Sequence, residues 1–469
     1  FVTQSLSIGN AYTCAVANGG IQCWGANTNG QLGDNTIVPR TSIAPVSNIA
    51  GGPIKIAAGY RYACAIIDKG DVQCWGRNGS GSLGTGDNSD RWLPTQVSGL
   101  PEGAQAIATG DQFTCVIVNG GVWCWGAGWN GRLGDGTGNS NNYPVQVKGP
   151  GGIGVLSNVT DIAGSDNTMC ALATGNVYCW GYGNDGRMGI NNGSDQWSPV
   201  KVLGVGGVGY LSDVQQVSGM GGSQCALSNG GVYCWGYNGS GRLGNGNNTN
   251  QYTPVATVGL GSGVQEIAGV DGVQCALNNS LMKCWGWNGN GRIGDNTSSD
   301  RWTPVNVVGV GGVGNLAGVQ SLVRTSNQSQ SNCAIQNGSV KCWGRNDQGQ
   351  LGNGTNAESW SPVQVTGLTS GAYEVAQGNL STCAVVNGAI SCWGYNNNGE
   401  LGNNTNATSW VPLQAGAFTI EASGALGAFA ITGITGGADV TLDFMLTANA
   451  NPTINFSSSI RAVTYDVTI

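Results

Sequence analysis

Cys14 and Cys23 flank eight residues in "CAVANGGIQCWG", and the same frame returns as "CVIVNGGVWCWG" at Cys115, "CALSNGGVYCWG" at Cys225 and "CAVVNGAISCWG" at Cys383, eight times in all. Paired thiols can form a disulfide, cycle in a redox reaction or bind zinc. The spacing is not C-x-x-C, and a four-cysteine zinc site would need two units to converge on one ion. The chain of 469 residues contains no histidine, which removes the usual general base, the Ser-His-Asp and Cys-His arrangements, and the commonest metal ligand.

The residues between the cysteines favour the disulfide. If Cys14 faces Cys23 across an antiparallel hairpin, the register centres on Asn18-Gly19, the preferred sequence of a two-residue type I′ turn. Counting outward, Ala17 opposes Gly20, Val16 opposes Ile21, Ala15 opposes Gln22, and Cys14 meets Cys23 in a non-hydrogen-bonded pair, within disulfide reach. Other copies centre on Asn119-Gly120, Asn229-Gly230, Asn337-Gly338 and Asn387-Gly388, with Thr174-Gly175 and Asn279-Ser280 as weaker variants. In the second copy Cys64 and Cys74 stand one residue further apart. Its turn, Asp68-Lys69-Gly70, suits a three-residue hairpin with Gly in the left-handed position of a bulge, which restores the facing pair.

The spacing therefore predicts eight disulfides within hairpins: Cys14–Cys23, Cys64–Cys74, Cys115–Cys124, Cys170–Cys179, Cys225–Cys234, Cys275–Cys284, Cys333–Cys342 and Cys383–Cys392, with none left over. On a chain-entropy account each loop contributes roughly 2–3 kcal/mol, not simply additive. Such usage implies an oxidising compartment and an extracellular or cell-surface location.

The elements that position these pairs follow from the repeat. The Cys-Trp-Gly tryptophans, Trp24, Trp75, Trp125, Trp180, Trp235, Trp285, Trp343 and Trp393, mark eight units covering Phe1 to about Pro412. Each unit carries four β-like runs, seen in the second as "IKIAAG", "YACAIID", "DVQCWGRN" and "LPTQVSG", without helical periodicity. Between the third and fourth runs lies a Gly/Asn-rich loop with G-x-[LIM]-G, and then an aromatic two before proline (Trp92, Trp197, Tyr252, Trp302, Trp360, Trp410) that offers area to bury against a neighbouring unit. Four short strands repeated every fifty or so residues predict an all-β fold, the blades of a β-propeller.

The pattern x-x-C-A-[LVI] … [VI]-x-C-W-G-x-N-x-x-G-x-L-G … P-V-x-V … [VI]-x-x-I-A-x-G resembles the regulator of chromosome condensation repeat, in the secreted microbial form where cysteines flank the hairpin. The resemblance covers roughly 410 of the 469 residues. It implies a propeller, most often seven-bladed; eight full copies favour eight blades, with seven blades plus a displaced unit as the alternative. The family's nuclear members exchange nucleotide on a small GTPase and bind chromatin. This chain is acidic, lacks a basic tail and uses cysteine pairs, so no exchange residues carry over. Secreted members include a protein inhibitor of β-lactamase, which implies that a disc face can bind protein.

Several side chains could form sites. Tyr182, Tyr237, Trp287 and Tyr395 follow Trp-Gly in four copies, where the others have Ala26, Arg77, Ala127 and Arg345; they could stack on sugar rings or partner side chains, or pack between blades. Asp34, Asp87, Asp135 and Asp295 follow the G-x-L-G turn and could bind Ca²⁺ or merely form turns; no full calcium-loop spacing is present, and no metal or cofactor is expected. Sequons include Asn78, Asn158, Asn238 and Asn353, although an Asn/Ser/Thr-rich chain produces many by chance. The inserts "GPGGIGVL" (149–156), "GVGGVGYL" (204–211) and "GVGGVGNL" (309–316) lack the P-loop lysine and a following helix, and read as longer connections.

Residues 413–469 contain neither Cys nor Trp and read as about five strands, "FTIEA", "AFAITGI", "ADVTLDFMLTA", "PTINFSS" and "RAVTYDVTI", forming a second module. So few residues make a marginal core alone, so the module either caps a propeller edge or assembles copies by adding a strand such as "AVTYDVTI" to a neighbour's sheet.

A net charge of −7 with no basic cluster argues against nucleic acid or anionic membrane as a partner, and no apolar run is long enough to span a bilayer. The chain starts at Phe1 without a charged-then-apolar leader, compatible with one already removed. The leading expectation is a non-enzymatic extracellular scaffold, displayed at the cell surface or self-associating into a fibre through 413–469. A monomeric secreted binder of protein or glycan is the alternative. An enzyme working with carboxylates alone, such as Asp185, Glu266 or Glu400, is a third, without a convergent pair in sequence.

Overall fold

A computed structural model describes residues 3–165, 167–323 and 329–416, and within the remainder the strand segments 420–423, 429–435, 441–446, 453–456 and 467–468. Residues 3–414 form eight four-stranded antiparallel sheets, each in sequential strand order, arranged as the blades of an eight-bladed propeller. Blade 1 comprises Thr3–Ile8, Tyr12–Ala17, Gly20–Gly25 and Arg40–Pro45; the others span 53–96, 104–146, 159–201, 214–256, 264–306, 319–364 and 372–414. The first strand of each blade is innermost and the fourth is outermost.

The second and third strands of each blade are joined by tight turns. Asn18 and Gly19 have φ of 53° and 72°, both left-handed as a type I′ turn requires. Thr174 (47°) with Gly175 and Asn279 (50°) with Ser280 (62°) reach the same geometry with less favourable residues. In blade 1 the register pairs Ala17 with Gly20, Val16 with Ile21, Ala15 with Gln22 and Cys14 with Cys23. Blade 2 accommodates its extra residue in a 3₁₀ turn, Asp68–Gly70, with left-handed Lys69 and Gly70, and Cys64 still faces Cys74. All sixteen cysteines are bonded in eight such pairs, one per blade, with Cα atoms 4.1–4.2 Å apart.

The core lies between blades rather than at one centre. Cys14, Val16, Ile21 and Leu32 of blade 1 pack with Ile56, Ala63, Ala65 and Trp75 of blade 2. Each Cys-Trp-Gly tryptophan is fully buried and its indole Nε1 donates to a backbone carbonyl of the preceding blade, from Trp75 on Gln31 (2.9 Å) round to Trp393 on Gln350 (2.7 Å). A buried indole N–H must find an acceptor, and the G-x-[LIM]-G loop supplies it. The same contact closes the ring: Trp24 Nε1 donates to Glu400 O at 2.8 Å, and Leu6, Ala15 and Trp24 pack with Ala376, Cys383 and Leu401 of blade 8. The first strand of blade 1 is supplied by Thr3–Ile8 itself, so closure needs no strand from elsewhere in the chain.

Inner strands expose backbone donors to the central channel, and side chains of the preceding blade take some of them up. Ile267 N donates to Gln216 Oε1 while Gln216 Nε2 donates to Ile267 O, both 2.9 Å; Leu322 N donates to Glu266 Oε2 (3.0 Å) and Leu6 N to Glu374 Oε1 (3.3 Å). Seven outer strands carry proline at their fourth position, from Pro94 to Pro412, which removes a donor from each exposed edge and blunts edge-to-edge pairing.

Beyond Gly416, Ile420–Ser423 pairs antiparallel with Thr453–Phe456, and Phe429–Thr435 with Thr441–Leu446, which also takes Val467–Thr468 in parallel. Most of the terminal "AVTYDVTI" segment lies outside the described residues.

Candidate functional site

In each blade, the turn between first and second strands and the long loop between third and fourth open on one face of the disc, while the cysteine hairpins and blade-to-blade connections open on the other. The long loop is organised by an asparagine two residues past Trp-Gly. Asn288, fully buried, donates through Nδ2 to Asp295 Oδ1, Thr297 O and Ser299 O (3.0–3.2 Å), while its Oδ1 accepts Ile293 N at 2.8 Å. Asn27, Asn78, Asn238, Asn346 and Asn396 repeat this arrangement. The repeat displays this asparagine, but its partners five to eleven residues on lie in an irregular loop that periodicity does not resolve. Blades 3 and 4 have Gly128 and Gly183 there instead.

The loop aspartates are held by neighbours within the same loops. Asp34 accepts from Asn27 and Thr36 and pairs with Arg40 at 2.7 Å; burial opposes its ionisation, but these hydrogen bonds and Arg40 outweigh it and hold the carboxyl below its usual range. Asp87 pairs with Arg91, Asp295 with Arg301, and Asp135 accepts from Thr137. These contacts are of the kind that turn-forming aspartates make; no group of three or more metal-capable side chains occurs among the described residues. Of the sequon asparagines, Asn78 and Asn238 are fully buried loop centres closed to a glycan, whereas Asn158 is exposed.

The aromatics after Trp-Gly lie on the same face. Arg187 stacks over Tyr182 (5.0 Å to the ring centre), Arg242 over Tyr237 (5.0 Å) and Arg292 over Trp287 (3.9 Å). In blade 3 the position holds Ala127, and Arg132 lies instead between Phe113 and Trp129, 5.4 and 5.3 Å from their centres. Four arginine–aromatic pairs thus occupy four consecutive blades, 3 to 6. Sequence reasoning singled out the aromatics and passed over their partners, the x of G-R-[LMI]-G at 132, 187, 242 and 292. Tyr395 of blade 8 has no arginine at the corresponding place, which is Glu400.

These arginines are deep. Arg292 is 1% exposed; its Nη1 donates to Asp271 O at 2.8 Å and stands 3.6 Å from the Asp271 carboxylate. Burial pulls its pKa down to about 10, Asp271 works against that, and the like charges of Arg242 and Arg345 add to the depression. Arg187 Nε and Arg292 Nη2 are buried with no hydrogen-bond acceptor among the described residues. The outer ring surfaces remain accessible: Trp129 is 52% and Tyr237 36% exposed.

The carboxylates Asp185, Glu266 and Glu400 are not brought together. Asp185 sits on the long loop of blade 4 near Arg187, Glu266 in the channel on the inner strand of blade 6, and Glu400 buried in the loop of blade 8, accepting from Asn398 N (2.9 Å) and Nδ2 (2.8 Å). The aromatics before proline pack one face on a glycine of the preceding blade, a Cβ at Gly30 lying 2.5 Å from Trp92 Cδ1, and leave the other to solvent. On the opposite face, the three glycine-rich inserts fold back as short bridged loops with Ile153, Val208 and Val313 at their tips.

A closed ring of blades, each with its own disulfide and a face lined by stacked arginine–aromatic pairs, defines a binding or scaffold propeller. Residues 69–117, 119–172, 174–227, 229–276 and 337–385 match the Regulator of chromosome condensation (RCC1) repeat, and 54–82 match a second description of it. Together these cover more than half of the chain, which belongs to this repeat family. The chain is similar to the Ultraviolet-B receptor UVR8 of Arabidopsis thaliana, 28% identical over 264 residues, 54% of this chain and 57% of the receptor, so it spans little over half of that relative. Among solved structures it resembles yeast RCC1 (Prp20) bound to Kap60 (21% identity, TM-score 0.56, 74% of this chain and 83% of that one) and human WBSCR16 (22%, 0.54, 66% and 82%). At these identities the likeness concerns the fold. No helix among the described residues is long and apolar enough to cross a membrane.

Proposed function

We propose that this chain is a non-catalytic extracellular scaffold: a disulfide-stapled propeller whose 413–469 module joins it to further copies, displaying the disc at a cell surface or along a fibre. The observation that carries this reading is that the chain continues for some fifty residues past a ring already closed by Trp24 on Glu400, with a disulfide in every blade. A ring closed by its own first strand does not require those residues for closure, and the disulfides suit an oxidising exterior. Proline in the outer strands disfavours association through blade edges, which leaves the module and the two disc faces as joining surfaces.

A second reading, a monomeric secreted binder, is favoured by the half-exposed Trp129 and Tyr237 on the loop face, and by yeast RCC1 (Prp20), a related propeller solved with Kap60 bound. Light scattering on the non-reduced chain beside one ending at Gly416 separates the two. Assemblies lost on truncation support the scaffold; two monomers of about the chain masses overturn it in favour of the binder.

A further inference from the structure

Six aromatic side chains at the rim of the disc are only half used by the fold. Each stands at the second position of an outermost strand: Trp92 in blade 2, and Trp197, Tyr252, Trp302, Trp360 and Trp410 in five consecutive blades, 4 to 8. One side of each ring lies on a left-handed glycine in the loop of the preceding blade. A Cβ at Gly241, Gly291 or Gly349 would come within 2.4 Å of the indole of Trp302, Trp360 or Trp410, so the bare glycine lets the ring lie flat. The other side faces solvent, and the six residues are 41–54% exposed. Packing between blades accounts for one face of each ring and not for the other.

The surroundings of the free faces narrow what fits them. Two residues before each ring stands a hydrogen-bonding side chain: Asp90, Asp195, Asn250, Asp300, Glu358 and Thr408. Glu358 Oε1 accepts the Trp360 indole N–H (3.0 Å) and its Oε2 accepts Asn290 Nδ2 of the preceding blade (2.9 Å). The cations next to the rings are paired within their own loops, Arg91 with Asp87 and Arg301 with Asp295. Four carboxylates beside six rings repel a polyanion, which sets nucleic acid aside although bases stack on such rings. The rings are also dispersed, at most one to a blade, so a globular partner meeting one or two of them gains little of the roughly 800 Å² per side that a stable protein interface buries. A chain of like units that lays down one flat apolar face at a time suits them better. An equatorially substituted pyranose is such a unit: its axial C–H bonds form a positive face that sits on the negative face of an aromatic ring, and its hydroxyls reach hydrogen-bonding groups at the edge.

We propose that the rim of the disc is a carbohydrate-binding surface, on which the aromatic rings of blades 4 to 8 are stacking platforms for a neutral polysaccharide of equatorial pyranose units, with Trp92 as an outlying platform. Each contact is weak alone, and a repeating ligand on repeating platforms gains through effective concentration. Proline in the outer strands keeps this edge from pairing with another sheet, which leaves the rings open to a ligand. The rim stays free whether or not 413–469 joins copies, so binding there is independent of assembly.

The test is affinity electrophoresis of the non-reduced full chain, whose charge of −7 carries it into a native gel. Gels are cast with hydroxyethylcellulose or glycol chitin, two soluble neutral polymers of equatorial pyranoses, beside one without polymer. Wild type is expected to be retarded by at least one of them. The triple variant Trp197→Leu, Trp302→Leu, Trp360→Leu keeps apolar bulk on the glycines and loses the flat faces; it should bind at least about tenfold more weakly. The same three positions changed to Tyr keep a ring and should stay within about threefold of wild type. Trp197→Leu alone should weaken binding about two- to threefold. Wild type that neither polymer retards would overturn the rim as a glycan surface. A leucine triple retarded like wild type would overturn it too and move binding to Tyr182, Tyr237 and Trp287 on the loop face. Retardation by heparin in place of the neutral polymers would overturn it as well. Should the leucine triple lose its cooperative unfolding transition, the wild-type gels and the single variant still decide.

Discussion

The long loop is built in two ways in one ring. In blades 1, 2 and 5 to 8 a buried asparagine gathers two backbone carbonyls, a side-chain oxygen and one amide around its side chain; in blades 3 and 4 Gly128 and Gly183 take its place and the loop backbone fills the space. A Cβ at Gly128 would lie 1.8 Å from Asn139 O, and one at Gly183 2.0 Å from Ser194 O. The same path, from a Trp-Gly strand to a G-x-[LIM]-G turn, is thus reached by a polar hub or by close backbone packing, and neither residue can replace the other in place. What the repeat preserves is the turn that receives the next blade's indole, whichever way the loop before it is filled.

Substitutions can break that contrast. The largest effect is expected at Gly128→Ala, where backbone must move to admit a methyl group; we expect a loss of roughly 3–5 kcal/mol by thermal or denaturant unfolding. Gly128→Asn should be no better, since the space the amide would need is already taken. Asn288→Ala leaves Ile293 N, two carbonyls and the Asp295 carboxylate without their common partner, for about 2–4 kcal/mol and faster amide exchange in 288–300. Next comes Trp285→Phe, which keeps the apolar packing but strands Arg242 O, at about 1–2 kcal/mol. Comparable losses at Trp285→Phe and Trp180→Phe would show that both loop types hold their acceptor equally well.

The smallest effect concerns Glu400, which fills the position of Gln31 and Gln350 and accepts a backbone amide two residues earlier as they do. Burial raises its carboxyl pKa, with hydrogen bonds from Asn398 only partly offsetting that. The folded state then holds the proton longer than the unfolded chain, so this contribution is fully present below the usual carboxylate range and is lost as pH rises through the folded value. Glu400→Gln should therefore stabilise the ring by less than about 1 kcal/mol at neutral pH and flatten the acid side of the stability profile. A destabilised amide variant at neutral pH would contradict this assignment.

The hairpins were legible because Asn-Gly fixes the register and a two-residue period carries it outward to the next pair; the altered spacing in blade 2 arrived with altered turn chemistry. The blades were legible because their four runs recur. The asparagine hub was not, since an irregular loop has no period; the loop aspartates read as turn residues that could also suit a cation, and the arginines six or fewer residues on that hold Asp34, Asp87 and Asp295 did not show in the spacing. The stacked arginines escaped for a different reason: in sequence they read as one variable position among Gln, Ser, Arg and Glu, and only the ring brings four of them side by side.

The disulfides carry a mechanical consequence. In the fibre proposed above, load would enter each disc at the outer strand of blade 8, where the chain leaves it, and a blade torn from the ring would begin to unravel. The covalent clasp across each hairpin stops it: seven span nine positions and one spans ten, so about 30 Å of contour per blade stays out of reach of the force. The tether is thus shorter and stiffer past its yield point than its length in residues suggests, and adding reductant should lengthen each unfolding step by that amount in a single-molecule trace.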